Sequence, residues 1–412
     1  MAKNITILGA GIVGIACAAY LRHDGHAVTV VDERPPGEYC SFGNAGILSP
    51  GSCVPFGLPG VLKKVPGWLI DPLGPLSVRP AYLPKALPWL ARFVAASDPA
   101  RVDAIADALR ALLAQTFDAY APLVQNAGVS DLIRKTGYLA VYETEQAWRG
   151  DALAWKMRRE RGVVCEDIDA ARIAELEPAL RGIYSRGVWL PEQGYVASPL
   201  RLTRSLAAQL ERDGGTILRR KVHDIEVGAD GPRALLTDQG SLPVETLLVC
   251  AGAHSAEFSA KLGDKVPLET QRGYHVTIEN PTVTLSRPVM SGEGKFFATP
   301  MEMGLRIAGA VEFAGLQAPP NYQRADALLE QGKRMLPELS GSDVTRWMGH
   351  RPQIPDSLPV ISRASRFANA FYAFGHGHVG LCGGAPTGRL IAELIGGRPT
   401  NIDATPYRVD RF

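Results

Sequence analysis

Residues 5–32 read ITILGAGIVGIACAAYLRHDGHAVTVVD. Ile5-Thr6-Ile7-Leu8 has the unbroken apolar character of a strand buried on both faces. Gly9-Ala10-Gly11-Ile12-Val13-Gly14 follows with G-x-G-x-x-G spacing. An alanine-rich helix is predicted over 15–22, Gly25 ends it, and 27–31 is a second strand closing on Asp32. Gly9 permits a tight turn, Gly11 lets backbone approach a pyrophosphate, and Gly14 lets the helix sit close on the strand. The helix N-terminus then offers N–H groups and a positive dipole end to phosphates. Asp32 lies about 20 residues past the glycines, where a carboxylate can accept hydrogen bonds from an adenosine ribose. Strand, glycines, helix, strand and acid in this order predict a dinucleotide-binding unit. An acid at position 32, rather than Arg or Ser, favours an unphosphorylated ribose, hence FAD or NAD over NADP. A signal peptide or membrane span over Ile5–Leu21 competes. That run is short for a span, has Lys3 as its only preceding charge, and carries spaced glycines.

The chain has 412 residues, enough for two domains. Its 46% hydrophobic and 21% charged residues are those of a globular protein. A net charge of +2 gives no electrostatic case for nucleic acid as a partner. Six cysteines (Cys17, Cys40, Cys53, Cys165, Cys250, Cys382) are scattered without a C-x-x-C pair, which argues against a zinc site or disulfide framework and fits a reducing cytoplasm. His376 and His378 form an H-x-H pair, but no neighbouring carboxylate or cysteine completes a ligand set, so no metal is expected.

Downstream of Asp32 the chain turns through Glu33-Arg34-Pro35-Pro36-Gly37, and Ser41-Phe42-Gly43-Asn44-Ala45-Gly46-Ile47 supplies small residues against which a flat ligand could lie. Residues 51–96 differ in character. Eight prolines fall between Pro55 and Pro88, among Trp68, Trp89 and Phe93, and five basic residues (Lys63, Lys64, Arg79, Lys85, Arg92) stand against one acid, Asp71. Such an irregular segment can lie on an anionic bilayer surface, or pack on its own protein with its lysines in water. Helical spacing runs over 100–127, with Pro122 expected to kink or end it. Helices are expected over 147–161, 169–177 and 199–213, the last capped by Ser198 with Pro199 in its first turn. Strands are expected over 137–142, 216–218, 222–227, 247–250, 274–278, 295–298, 305–310 and 371–374, a proline-rich connection over 351–360, and a last helix over 386–395. These predict an α/β fold: a discontinuous, Rossmann-like nucleotide domain from 1–50, 191–266 and 350–412. A second α+β domain with a mostly antiparallel sheet comes from 97–190 and 267–349, and 51–96 is an insertion.

Several segments together resemble one known group: GAGIVG with Asp32, SFGNAGILSPG at 41–51, EQGYVASPLRLTRSL at 192–206, VCAGAHS at 249–255, GYHV at 273–276, RPQIPDSLPVIS at 351–362 and GHGHVGLCGGAPTGRLIAELI at 375–395. The chain resembles, over nearly its whole length, the FAD-dependent D-amino-acid oxidase superfamily, in particular its D-amino-acid dehydrogenase small-subunit branch. The resemblance implies FAD as cofactor. It implies Gly9, Gly11, Gly14, Asp32, Glu33 and Arg34 on the ADP half, and Ser41, Asn44, Ala45, Gly46 and Ile47 along the flavin. It further implies Val222 at the adenine, Ala251 and Gly252 at the pyrophosphate, and Gly377, His378, Val379, Gly380 and Leu381 as a loop facing the flavin N1–C2=O edge. Backbone donors suit that edge because reduced flavin is anionic there.

Arg351 falls where relatives clamp the substrate carboxylate, a task that suits a permanently charged, bidentate guanidinium; its alternative is a structural salt bridge. Tyr274 falls on a strand where relatives place pocket residues; its alternative is an ordinary strand tyrosine. His275 alternates to the other face, so one of the two looks into the pocket. Asn44 stands where some relatives acting on D-arginine carry histidine, which speaks against a strongly cationic substrate.

The resemblance implies oxidation of a D-amino or cyclic imino acid of the D-proline type. The α-hydrogen leaves as hydride toward flavin N5, an imine or 2-oxo acid results, and electrons pass to a quinone-type acceptor. Segment 51–96 would supply a peripheral contact with the inner face of the cell membrane. The alternatives are an oxidase of glycine or sarcosine type using O₂, a flavin subunit of a larger dehydrogenase complex, and an NAD-dependent dehydrogenase.

Overall fold

The computed structural model describes residues 2–60 and 76–412. Lys63, Lys64, Trp68 and Asp71 lie outside the described residues. The nucleotide domain is a six-stranded sheet with the order Thr216–Arg219, Ala27–Asp32, Asn4–Leu8, Thr246–Val249, Ala370–Phe374, Val360–Arg363. All neighbours run parallel except the last pair. Leu8 is opposite both Val31 and Val249, so the first glycine loop leaves from the carboxyl edge at the middle of the sheet, where ligands bind in such folds.

Helices cover one face, Pro199–Arg212 among them. Ile12–His23 and Gly380–Gly396 pack closely because Gly388 has no side chain; a Cβ there would stand 2.7 Å from the Ala16 carbonyl oxygen. The antiparallel strands Val222–Gly228, Gly231–Thr237 and Gly240–Pro243 share the core of the other face, through Ile225 and Leu235 beside Leu8, Val31 and Val249.

The second sheet is nine-stranded and mostly antiparallel. Its central order is Val344–Gln353, Glu269–Ile278, Gly304–Phe313, Phe297–Met301, with Tyr138–Tyr142 and Arg186–Leu190 farther along. The discontinuous α/β organisation expected from the sequence holds.

Four expectations are corrected. The helical stretch over 100–127 is two helices, Pro99–Leu113 and Thr116–Asn126. They part where the buried Thr116 hydroxyl donates to the Leu113 and Cys382 carbonyls, and Pro122 lies inside the second without ending it. Neither packs on the second domain alone: Ile105, Leu109, Leu113 and Tyr120 share a core with Ile15 and Ala385, and Tyr120 donates to the Leu381 carbonyl, while Val102 and Ala106 pack on Met157 and Asp103 and Asp107 pair with Arg161. Residues 351–353 complete a strand instead of opening a connection, so the domain boundary at 350 crosses a strand. Within 51–96, Leu83–Ala96 is a helix, and Leu76–Val78 pairs with Val311–Phe313. Trp89 and Phe93 are buried on Val311 and Phe313, and Arg79 is ion-paired with Glu312 at 2.8 Å. The described part of this segment thus packs on its own protein. No helix among the described residues is long and apolar enough to cross a membrane.

Candidate active site

A cavity of 1320 Å³ runs from the first glycine loop, across the carboxyl edge of the six-stranded sheet, to the antiparallel sheet. Its first wall is the turn at Gly9–Gly14. Gly9 has φ +117°, and a Cβ there would lie 2.4 Å from the Cys250 carbonyl oxygen; one at Gly14 would lie 2.0 Å from the Gly9 carbonyl oxygen. Both glycines are demanded by the fold itself. Gly11 is different: only Ser41 Oγ, at 3.6 Å, lies within 4 Å of its missing Cβ, and the residue lines the cavity. It caps the helix Ile12–His23 without a side chain, leaving a cradle that a ligand phosphate fits.

Asp32 closes the turn. Its Oδ2 accepts from Ala10 N–H at 2.7 Å and Oδ1 from Arg34 N–H at 2.9 Å. Burial pushes its carboxyl pKa up, and these bonds oppose the shift. Each oxygen keeps a lone pair for a ribose hydroxyl. Glu33 and Arg34 also line the cavity, and Arg34 lies over the Tyr39 ring at 4.6 Å. Val222, Ala251 and Gly252 line the same end.

Ser41, Asn44, Ala45 and Ile47 form the next stretch of wall. Ser41 Oγ accepts from Ile12 N–H at 2.9 Å, tying this loop to the glycine turn. Gly46 does not line the cavity; with φ +79° it makes the turn, its N–H bonded to Asn44 Oδ1 and its carbonyl to Val196 N–H. Opposite stand Gly377, His378, Val379, Gly380 and Leu381. Gly377 has φ +55°, and its N–H donates to the Pro352 carbonyl at 2.7 Å. The helix Gly380–Gly396 starts at Val379 with no side-chain cap, so its first-turn N–H groups are available at the cavity wall. His376 and His378 diverge: His376 is buried against the Thr387 hydroxyl at 2.8 Å, whereas His378 is open to the cavity, its imidazole pKa pushed down to about 4 by desolvation and then by the charges of Arg351 and Arg158. No group of three or more potential ligands is placed to hold a metal among the described residues.

Arg351 lines the far part of the cavity. Its Nη1 donates to the Ala310 carbonyl at 3.0 Å and Nη2 to the Gly309 carbonyl at 3.3 Å. No carboxylate pairs with it among the described residues. Loss of bulk water pushes its pKa down to about 10, which leaves it cationic at neutral pH. Ala310 has φ +55°, at a register irregularity between the strands 269–278 and 304–313; that bulge turns its carbonyl toward the guanidinium.

Tyr274 is elsewhere. It is 1% exposed and absent from the cavity wall; its hydroxyl donates to Glu312 at 2.6 Å and accepts from Asn321 N–H at 3.1 Å. The structure therefore assigns it to the sheet core. His275 does not line the cavity either: it bonds the Gly43 carbonyl at 3.1 Å and stacks on Trp347 at 5.1 Å. Neither of the two alternating residues looks in. Trp347 does, and sequence reasoning missed it. Its ring spreads over Gly349, where a Cβ would stand 2.0 Å away. A glycine two places from an aromatic on one strand face is the signal that could have found it.

Glycine-walled cradle, two exposed helix N-termini, ribose-reaching acid and small-residue loop share one cavity, and they fit FAD. A scan of family models matches residues 4–394 to the DAO family, described as FAD dependent oxidoreductase. A D-amino-acid oxidase of Bradyrhizobium diazoefficiens is 40% identical over 417 residues, covering 100% of this chain and 99% of the relative. A D-amino acid dehydrogenase of Rhizobium johnstonii is 30% identical over 421 residues, covering 99% and 100%. Among solved structures, glycine oxidase from Bacillus cereus superposes with a TM-score of 0.76 at 18% identity, covering 99% of both chains. L-proline dehydrogenase from P. horikoshii gives 0.76 at 18%, covering 100% and 98%. The cavity's chemistry and these likenesses agree: the chain belongs to the DAO family of FAD-dependent oxidoreductases.

Proposed function

We propose that this enzyme oxidises the α-C–N bond of D-amino acids, cyclic imino acids of the D-proline type included, and passes the reducing equivalents to a quinone-type acceptor. One observation carries the reading: Arg351, a cation without a carboxylate partner among the described residues, faces the same cavity as the FAD cradle.

FAD, held along Gly9–Asp32, Ser41–Ile47 and Gly377–Leu381, supplies the two-electron acceptor. Arg351 binds the α-carboxylate through two parallel charge-assisted bonds, with its own orientation fixed by the Ala310 and Gly309 carbonyls. Fixing one end of a small substrate orients its α-C–H, and such positioning is a major source of rate. The cation also favours the neutral amine over the ammonium, and the amine's lone pair must be free as the C=N bond forms. The imino acid then takes up water, giving a 2-oxo acid and ammonia; a cyclic substrate gives a cyclic imine.

The far end of the cavity is walled by Leu76, Leu83, Leu87, Trp89, Phe93 and Phe313. Leu87 is 55% exposed at its rim. An apolar mouth of this kind suits a quinone ring. The oxidase names of the relatives support O₂ as a second reading. Anaerobic bleaching of bound flavin by a panel of D- and L-amino acids tests the substrate; no bleaching by any D-amino or D-imino acid overturns it. Oxygen uptake against reduction of a short-chain ubiquinone analogue then decides the acceptor.

A further inference from the structure

A second cation without a carboxylate partner among the described residues stands in the same cavity wall. Arg158 projects from the helix Ala152–Glu160 and lines the cavity. Its guanidinium lies over the Trp155 ring at 4.7 Å, and Nη1 donates to the Ala154 carbonyl at 3.2 Å, which fix its direction. Nε is buried without an acceptor, Nη2 makes no hydrogen bond, and no carboxylate is within ion-pair reach among the described residues. The nearby charges are committed elsewhere. Lys295 is paired with Asp151 at 2.6 Å. Glu293 Oε1 accepts from the backbone N–H groups of Glu143 and Thr144, while its Oε2 is buried without a hydrogen-bond partner and makes no ion pair with Arg158. Arg158 is half-buried with its Nε sealed from solvent, and a ligand carboxylate would give that N–H and Nη2 two parallel hydrogen bonds. Arg158, Arg351 and His378 all line the one cavity, so both cations face the space a ligand would enter.

We propose that Arg158 is a second carboxylate anchor, so that the substrates include D-amino acids whose side chain ends in a carboxylate, Arg351 holding the α-carboxylate and Arg158 the distal one. This rests on the amino-acid reading of the Arg351 site. Two anchored ends define the α-carbon's position more narrowly than one, which favours such substrates in binding and in orientation.

The test is anaerobic titration of the FAD-loaded chain with non-oxidisable 2-oxo acids, read by the shift of the flavin absorbance bands. 2-Oxoglutarate should bind more tightly than 2-oxobutyrate. Arg158→Met should remove about 10- to 100-fold of that preference, and Arg158→Lys should restore part of it. Arg158→Gln, which removes the charge but keeps a polar end, serves if the Met variant does not hold flavin. Equal affinities in the unaltered protein, or a parallel loss for both ligands in the Arg158 variants, overturn the proposal. Arg351→Met reports separately: if both acids still bind as before, the α-carboxylate reading fails while the dicarboxylate preference remains readable.

Discussion

Gly273 lies directly beneath Arg351. The two residues sit on neighbouring antiparallel strands, and a Cβ on Gly273 would stand 2.3 Å from the guanidinium carbon. The missing side chain is what allows Arg351 to lie across the sheet and reach the Ala310 carbonyl. Gly273→Ala should push the guanidinium off its carbonyl partners. A rise of about ten-fold or more in the dissociation constant of a carboxylate ligand is expected, with flavin content unchanged. Unaltered ligand affinity in a flavin-loaded Gly273→Ala protein would show that Arg351 is not the anchor.

Arg351→Ala removes the charge itself. Hydrogen bonds to charged groups contribute roughly 1.5–3 kcal/mol each, so kcat/KM for an amino acid should fall by two orders of magnitude or more. Arg351→Lys should recover only part of it, because an ammonium cannot make the paired bonds. Steady-state kinetics with a dye acceptor would check both.

The two glycines Gly11 and Gly14 should separate binding from folding. Gly14→Ala drives a methyl into the Gly9 carbonyl and should destabilise the chain by roughly 1–3 kcal/mol even without FAD. Gly11→Ala puts a methyl into the cradle in ordinary contact with Ser41 Oγ and clear of protein backbone, so the flavin-free chain should melt normally while FAD affinity falls steeply. Thermal melts of the flavin-free variants, with flavin titrations alongside, distinguish them.

Tyr274→Phe should act on stability rather than on substrate binding. It leaves the buried Glu312 carboxylate and the Asn321 N–H each short of a partner, about 1–3 kcal/mol. KM should change less than about two-fold, since hydrogen bonds absent from the site cannot enter it. A many-fold rise in KM at unchanged stability would return Tyr274 to the site.

Four imidazoles give the fold a pH dependence. Loss of water pushes His275 and His376 down to about 3 and His350 and His378 down to about 4, all below the usual histidine value near 6.5. Between about pH 6.5 and 4 the unfolded chain takes up protons there and the folded chain does not. Stability is therefore full above pH 6.5 and drains as pH falls, at up to about 1.4 kcal/mol per pH unit for each imidazole. Denaturant midpoints from pH 7.5 to 4.5 would measure the slope. A flat profile would mean that these rings are protonated in the fold.

The nucleotide half was legible because its constraints are local: Gly9, Gly11, Gly14 and Asp32 lie within one βαβ unit, and spacing alone places them. Arg351 was legible only through resemblance, since nothing local distinguishes a clamp from a salt bridge. Tyr274 was misplaced because strand alternation says which residues share a face, not which face meets the cavity. The helices over 99–126 were placed with the second domain alone for a related reason. Their apolar stripe shows that they pack, and only the Tyr120–Leu381 bond and the shared core show on what. Trp347 and Arg158 depend on long-range apposition that no single stretch of sequence records.

The Gly377 N–H is bonded to the Pro352 carbonyl, and Gln353 bridges to His376. The residue after Arg351 is thereby stitched by main chain to the loop that opens the helix Gly380–Gly396. Spacing between the Arg351 strand and that loop is then a fixed gauge, set by backbone rather than by any swing of one sheet against the other.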